Sequence, residues 1–515
     1  MQGVAFLPSQ HGSDDPQSSP SNVVLNPFDS LPVEVVSMVF ICYVRGQFRR
    51  GPHASLNLGR ICRRWRQIAW STPHLWTNLE LFDKQVDVKV QMPIELAEEW
   101  LSRASTLPLS IDLCFSLHPF HHQGSGTQAV LQLCKQILDL VIEYSDQWYS
   151  LSLHLPSSLL EGIGILGHPT SLLHHLSLEA TWNDYDNFRV PHYPRSHTFS
   201  NCSPAIVKIA AFKMEINWRF VTDLTMDMVD IAEVLVIFRT ANRLSKCSLD
   251  AVGHHGSDIS TILARGLIEC PALESLDISF DDDRPPTAFC NAISLPGLTQ
   301  LSFGGYDTIP VNFFANDLVT FITRSFCALK SLHIDESEFE RGSLIRLAPL
   351  LSSLIDLRIM YSPNDWAGNQ VSYEDIDAFY HFLDNPDEVP TYIPPFTSFA
   401  GTQLPLSSLE TFEWDGMKPF LWETVPGFLK PASVNGIVNH RPLKLVKITC
   451  MEVEEEDIIP YIPKDIIRQL SEFSDVKFEF TVYQRKSRDI GVDWWKASLE
   501  RWDGSTDGST DASST

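Results

Sequence analysis

From about residue 78 to about residue 500, short apolar segments recur with one spacing, Leu-x-x-Leu-x-Leu with conservative replacements. The central copies are Leu273, Leu276, Ile278; Leu298, Leu301, Phe303; Leu329, Leu332, Ile334; and Leu354, Leu357, Ile359, which start 25, 31 and 25 residues apart. Earlier copies are Trp76, Leu79, Leu81; Trp148, Leu151, Leu153; Leu173, Leu176, Leu178; Val221, Leu224, Met226; and Leu244, Cys247, Leu249. Later ones are Leu409, Phe412, Trp414 and Leu443, Val446, Ile448. Within each copy the last two apolar residues alternate with polar ones, the period of a strand with one buried face. Helical spacing fills the intervals, as in Asp258 to Cys270, Leu318 to Ala328 and Ser343 to Ser353. One strand and one helix cannot bury that face unaided, so the units are expected to stack with their strands side by side.

Near the N-terminus the spacing changes to three and four. Asp29 and Ser30 precede Leu31, Pro32 and Glu34, a helix start with an acid in its first turn. Leu31, Val35, Val39 and Cys42, widened by Val36 and Phe40, form an apolar stripe of about three turns. Gly46, Gly51 and Pro52 interrupt, and Leu58, Ile61, Cys62, Trp65, Ile68 and Ala69 form a second helical stripe. Ser71, Thr72 and Pro73 stop it, and a short turn carries Leu75 and Trp76. Some fifty residues with this much apolar surface are marginal alone, so the stripes are expected to close against another surface.

The pattern also says which side chains stay free. In LESLDIS, Leu276 and Ile278 are expected to point into the stack, and Ser275, Asp277 and Ser279 to the open face. Equivalent positions are read as Glu179, Asp250, Ser302, His333, Arg358, Glu413 and Lys447, a candidate partner-binding face of mixed charge. The longer gaps, 81 to 148 and 359 to 409, hold insertions such as NDWAGNQ and YIPPF that are read as projecting loops. Residues 1–26 and 501–515 are rich in small polar residues and are expected to be a disordered leader and tail.

Composition narrows the partners. The 515 residues are 44% hydrophobic and 20% charged, ample for packed cores. A formal charge of -25 repels phosphate backbones and acidic membranes, so neither nucleic acid nor membrane is an expected partner. The ten cysteines, scattered from Cys42 to Cys450, contain no CxxC pair and read as reduced thiols in an intracellular chain. The N-terminus lacks the basic start and apolar core of a secretory signal. The apolar stretch Val35 to Val44 is about half the roughly 20 residues that a membrane helix needs.

The segments LPVEVVSMVF and LGRICRRWRQIAWSTPHLWTNLEL, within residues 28 to 82, resemble the F-box. That motif reads Leu-Pro-x-Glu, a linker, a Val-Cys-Arg-Arg-Trp-Arg-like helix and a Leu-Trp pair; here the linker, with Arg45, Arg49, Arg50 and Gly51, is longer than usual. With the repeats behind it, the chain resembles F-box and leucine-rich-repeat proteins. The fold this implies is α/β: a short all-α F-box-like module at 27–77, then an irregular leucine-rich-repeat solenoid with a curved parallel sheet at 78–500. The function it implies is a non-enzymatic, substrate-recruiting adaptor of an SCF-type cullin and RING ubiquitin ligase in the cytoplasm and/or nucleus. The F-box would dock on a Skp-family adaptor through Leu31, Pro32, Val35, Val36, Val39, Phe40, Leu58, Ile61, Cys62, Trp65, Leu75 and Trp76. The repeats would hold an unknown protein target. The residues alone also allow a repeat scaffold with no ubiquitin ligase role, capped by the three helices, an ordinary α/β domain, or an enzyme with an unrecognised site.

No catalytic, metal or cofactor site is nominated. Gly162, Gly164 and Gly167 spell GxGxxG, but Pro169 follows where a helix would have to begin, so a turn is expected. His118, His121 and His122, His174 with His175, and His254 with His255 lack further ligands at metal-binding spacing. Seven arginines between Arg45 and Arg66 read as a solvated helix face, MEVEEED at 451–457 as an exposed acidic loop, and the sequon at Asn201 carries little weight.

Overall fold

The computed structural model describes residues 27–46, 53–82, 94–115, 125–160, 172–181, 197–199, 202–210, 214–253, 260–281, 287–306, 311–313, 315–335, 337–339, 342–361, 374–385, 404–416, 420–430, 432–434, 437–451, 461–483 and 491–503. The chain divides into two compact units, Met1–Glu80 with Glu95–Leu107, and Leu81–Ile94 with Pro108–Thr515.

The first unit is helical. A 3-10 turn, Pro27–Ser30, precedes α1 (Val33–Gly46), followed by α2 (His53–Ile61), α3 (Arg63–Trp70), a 3-10 turn Pro73–Leu75, and α4 (Ile94–Arg103). The expected single helix over Leu58 to Ala69 is two. Cys62 adopts an extended conformation (φ -155°, ψ 170°), and its sulfur accepts the Trp65 N–H at 3.4 Å, capping α3. Phe40 of α1 lies 4.8 Å from Trp65 between ring centroids, and Phe28 lies 5.5 Å from the same indole. Arg64 spans the gap between turn and helix by donating to the carbonyls of Phe28 (3.1 Å) and Leu31 (2.9 Å). Trp76 is fully buried, donates its indole N–H to the Ala69 carbonyl at 2.9 Å and meets Trp100 edge-on at 4.8 Å. The Arg103 guanidinium sits over the rings of Trp70 and Trp76, at 4.4 and 4.6 Å.

The second unit is built on a large, mostly parallel sheet whose strands pair in chain order. They are β1 (Leu109–Cys114), β2 (Trp148–Leu155), β3 (His175–Ala180), β4 (Ile206–Ala210), β5 (Asp223–Asp227), β6 (Lys246–Val252), β7 (Ser275–Phe280), β8 (Gln300–Gly305), β9 (Ser331–Asp335), β10 (Asp356–Tyr361), β11 (Thr411–Gly416), β12 (Leu445–Met451) and β13 (Lys477–Tyr483). A short antiparallel strand, β14 (Gly491–Asp493), closes the series against β13. The apolar positions stand in register, so that Leu276, Leu301, Leu332, Leu357, Phe412 and Val446 form one row across six strands. Each is at most 4% exposed, and burial of such a side chain contributes about 1.5–3 kcal/mol.

A backbone ladder runs just before these strands. His174 N–H donates to the Tyr149 carbonyl, Ala205 to His174, Thr222 to Ala205, Ser245 to Thr222, Glu274 to Ser245, Thr299 to Glu274, Lys330 to Thr299, Ile355 to Lys330, Glu410 to Ile355 and Lys444 to Glu410, at 2.7–2.9 Å. The same bond at each step makes the successive units geometric equivalents whatever side chains they carry.

Helices cover the apolar side, and among them α5 (Ser125–Glu143), α6 (Ile231–Thr240), α7 (Thr287–Ala292), α8 (Ala315–Ser325), α9 (Ser343–Leu347), α10 (Glu374–Asp384), α11 (Val425–Leu429), α12 (Lys464–Leu470) and α13 (Trp494–Asp503) follow the order of the strands. From α6 onward each packs on the next. Asp230 caps α6 by accepting the Ala232 N–H at 2.7 Å. The buried Arg441 ties three segments together, donating to the carbonyls of Leu383 (3.1 Å, last turn of α10), Phe428 (3.3 Å, last turn of α11) and Pro405 (3.1 Å). Burial brings its pKa down to about 10, so it stays cationic at neutral pH where helix carbonyl ends favour a cation. At the C-terminal end, Ser498 accepts the Ile462 N–H and Trp502 donates to the Ile462 carbonyl, seating α13 so that its Trp494 meets Trp422, which also meets Phe480.

Several expected elements differ in extent. The helix expected over Asp258 to Cys270 ends at Leu263 among the described residues, because Gly266 turns left-handed (φ +89°) and Ile268–Glu269 pairs as a strand with Ile293–Ser294. The helix of Ser343 to Ser353 tightens to 3-10 at Ala348–Leu350, where Pro349 offers no N–H. Among the described residues, the gap from 81 to 148 holds α4, β1 and α5, and the second gap holds α10. NDWAGNQ, YIPPF, the GxGxxG glycines, His118, His121, His122, Asn201, His254, His255 and 452–457 lie outside the described residues.

Candidate docking surfaces

In the first unit, α1 is apolar on two sides. Val36 and Phe40, each 1% exposed, face inward. On the opposite side Val35 (44%), Met38 (64%), Val39 (42%) and Cys42 are open to solvent, at the i, i+3, i+4 and i+7 spacing of one helix face. The break at Cys62 exposes a second apolar site, because it turns Ile61 (60% exposed) and Cys62 outward, flanked by exposed Arg60 and Arg63. An isolated module gains nothing from such exposure, whereas a docking module requires it.

The twelve residues expected to dock therefore fall into two groups. Pro32, Val35, Val39, Ile61 and Cys62 are exposed, and Leu31 and Trp65 are partly so. Val36, Phe40, Leu58, Leu75 and Trp76 are at most 4% exposed and hold the helices together. Met38 and Cys42 join the exposed face without having been in that set. A helix that is apolar on both sides must be buried on both, and that signal marks them.

In the second unit the polar side of the sheet carries rows of charge. Asp277, Ser302, His333, Arg358, Glu413 and Lys447 share one rung across β7 to β12. Glu179 and Asp250 stand one rung further along, with His154, Ala210 and Asp227. The reason is position in the motif: Glu179 and Asp250 follow its last apolar residue, whereas the others precede it. Asp335 and Asp415 occupy this further rung on β9 and β11.

Within these rows charges are paired. Glu413 lies between Arg358 (3.9 Å) and Lys447, and Glu179 between His154 (3.5 Å) and Lys208 (3.3 Å). His333 meets Asp356 at 3.1 Å, and that bond raises the imidazole pKa while lowering the carboxyl. Burial raises the carboxyls of Asp227, Asp335 and Asp415; Asp250 and Glu179 raise Asp227 further, while Arg358 opposes the rise at Asp335 and Asp415. His175, held down by burial, meets the Ser150 hydroxyl at 3.0 Å. Among the described residues no group of three or more His, Cys, Asp or Glu side chains is arranged to hold a metal ion. No helix among them is long and apolar enough to cross a membrane.

A family model for F-box-like domains matches residues 28–81. No curated protein matches the chain. The chain thus carries an F-box-like domain joined to a mixed α/β region, and that domain points to a ubiquitin ligase adaptor role in general. Domains of this kind generally bind Skp-type adaptors.

Proposed function

We propose that the chain is the substrate-recruiting subunit of an SCF-type cullin and RING ubiquitin ligase, acting in the cytoplasm and/or nucleus. The observation that carries this reading is the solvent-open apolar face of α1, Val35, Met38, Val39 and Cys42, within a segment matched as F-box-like. In this reading a Skp-family adaptor covers that face together with Pro32, Ile61 and Cys62, while Val36, Phe40, Leu58, Trp65, Leu75 and Trp76 keep the helices in place.

The second unit acts as a leucine-rich-repeat-like solenoid. Its consecutive parallel strands, in-register apolar rows and repeated backbone ladder support this reading. The polar face of the sheet, with Glu179, Asp250, Asp277, His333, Arg358, Glu413 and Lys447, receives the protein target. Catalysis belongs to the other subunits, and this chain supplies proximity.

Co-purification of the full chain with a Skp-family adaptor is the test, with Val39→Asp and Met38→Asp as variants. Loss of the adaptor in both variants, with the helical circular dichroism signal unchanged, is the expected result. Unchanged capture by both would remove the docking assignment. Absence of capture by the parent chain would favour a repeat scaffold with no link to ubiquitin ligases.

A further inference from the structure

The F-box-like segment carries a charge opposite to the chain around it. Residues 28–81 hold seven arginines against three carboxylates, Asp29, Glu34 and Glu80, within a chain whose formal charge is -25. Some of these arginines have structural duties: Arg64 donates to the Phe28 and Leu31 carbonyls, and Arg66 to the Gly59 carbonyl at 2.8 Å while lying over Trp70. Arg45, Arg60 and Arg63 do not. All three are exposed, and no carboxylate pairs with them among the described residues.

Their positions are specific to the apolar sites. Arg45 lies three residues beyond Cys42, at the C-terminal end of the face formed by Val35, Met38, Val39 and Cys42. Arg60 and Arg63 bracket Ile61 and Cys62, the two residues turned outward by the break between α2 and α3. Both apolar sites thus end in guanidinium groups that meet no carboxylate among the described residues, each with a rigid fork of donors suited to carboxylates.

We propose that these faces bind a protein surface whose apolar groups are bordered by Asp and Glu side chains, and that Arg45, Arg60 and Arg63 steer it into place. The inference rests on the docking reading above and specifies the chemistry of the partner. The apolar contacts set the lifetime of the complex, and the exposed charges set the rate at which it forms.

The experiment measures association and dissociation rates of the full chain with a purified Skp-family adaptor at about 0.05 and about 0.5 M sodium chloride, where screening lengths differ severalfold. The comparison is with the triple variant Arg45→Gln, Arg60→Gln, Arg63→Gln. The parent's association rate is expected to fall about tenfold or more between the two salt levels. The triple variant is expected to start about tenfold slower and to change little with salt, with dissociation within about twofold of the parent. Equal association rates and salt slopes in parent and variant would overturn the inference while leaving the docking reading intact. No binding by the parent would remove both. Light scattering that shows the acidic partner to be a second copy of this chain would overturn the assignment to the adaptor.

Discussion

Phe40 and Trp65 meet with ring centroids 4.8 Å apart and planes inclined at 52°, and this contact fixes which side of α1 faces the interior. With Phe40 inward, Val36 follows one turn before it, and Val35, Met38, Val39 and Cys42 are left outside. The helix is thereby given two apolar faces with different tasks, one filled within the unit and one open.

Substitutions on the two faces should separate stability from binding. Phe40→Ala deletes a fully buried ring and is expected to cost about 3–5 kcal/mol, lowering the thermal midpoint of the first unit. Val39→Asp lies at a 42% exposed position and is expected to change stability by no more than about 0.5 kcal/mol. Thermal melts followed at a helical wavelength distinguish them; equal losses would show that the two faces are not distinct.

Arg441→Met keeps the length of the side chain but leaves the carbonyls of Leu383, Phe428 and Pro405 without their donor. Leaving a buried acceptor without its partner is expected to cost about 1–3 kcal/mol. Hydrogen exchange should rise in the last turns of α10 and α11 before it rises elsewhere in the second unit. Unchanged exchange there would show that Arg441 does not tie the segments together.

The His333 and Asp356 pair makes a pH-dependent contribution to the second unit. The carboxylate holds the imidazole above its ordinary 6.5, and the imidazolium holds the carboxyl below its ordinary 3.8. The histidine contribution is complete below its unfolded pKa and is lost as pH rises through its folded one. The aspartate contribution is complete above its unfolded pKa and is lost as pH falls through its folded one. The pair is therefore strongest between about pH 4 and 6.5, and its partial exposure limits it to about 1 kcal/mol. Asp356→Asn should lower the thermal midpoint most near pH 5.5 and least near pH 8.5. An equal effect at both would contradict the pairing.

Much of this was legible in the residues. The apolar triplets located the strands carrying Leu151, Leu224, Cys247, Leu276, Leu301, Leu332, Leu357, Phe412 and Val446, because a Leu-x-x-Leu-x-Leu spacing encodes both corner and strand. Three of the parallel strands escaped it. In β4 and β13 the corner position is held by Pro204 and Asp475 rather than an apolar residue, and in β1 the register shifts between Leu109 and Ser110. The backbone ladder shows what the side chains did not, since Ala205 and Thr222 continue it across β4. The twelve docking residues were grouped by helical spacing alone, which cannot separate the inner face of α1 from its outer face. That division depends on where Trp65 lies, and Trp65 is placed by the break at Cys62.

If β4 is an equal member of the sheet, Ile209→Ala and Ile278→Ala, at equivalent buried positions of β4 and β7, should cost alike, about 2–5 kcal/mol each. Chemical denaturation of the two variants gives the comparison. A negligible cost at Ile209 would place β4 outside the cooperative core.

The most direct test of the docking account is hydrogen exchange of the full chain with and without a purified Skp-family adaptor. The expected result is slowed exchange confined, within the first unit, to Val35 through Cys42 and to Ile61 through Trp65. A complex that forms without protection of either segment would contradict it.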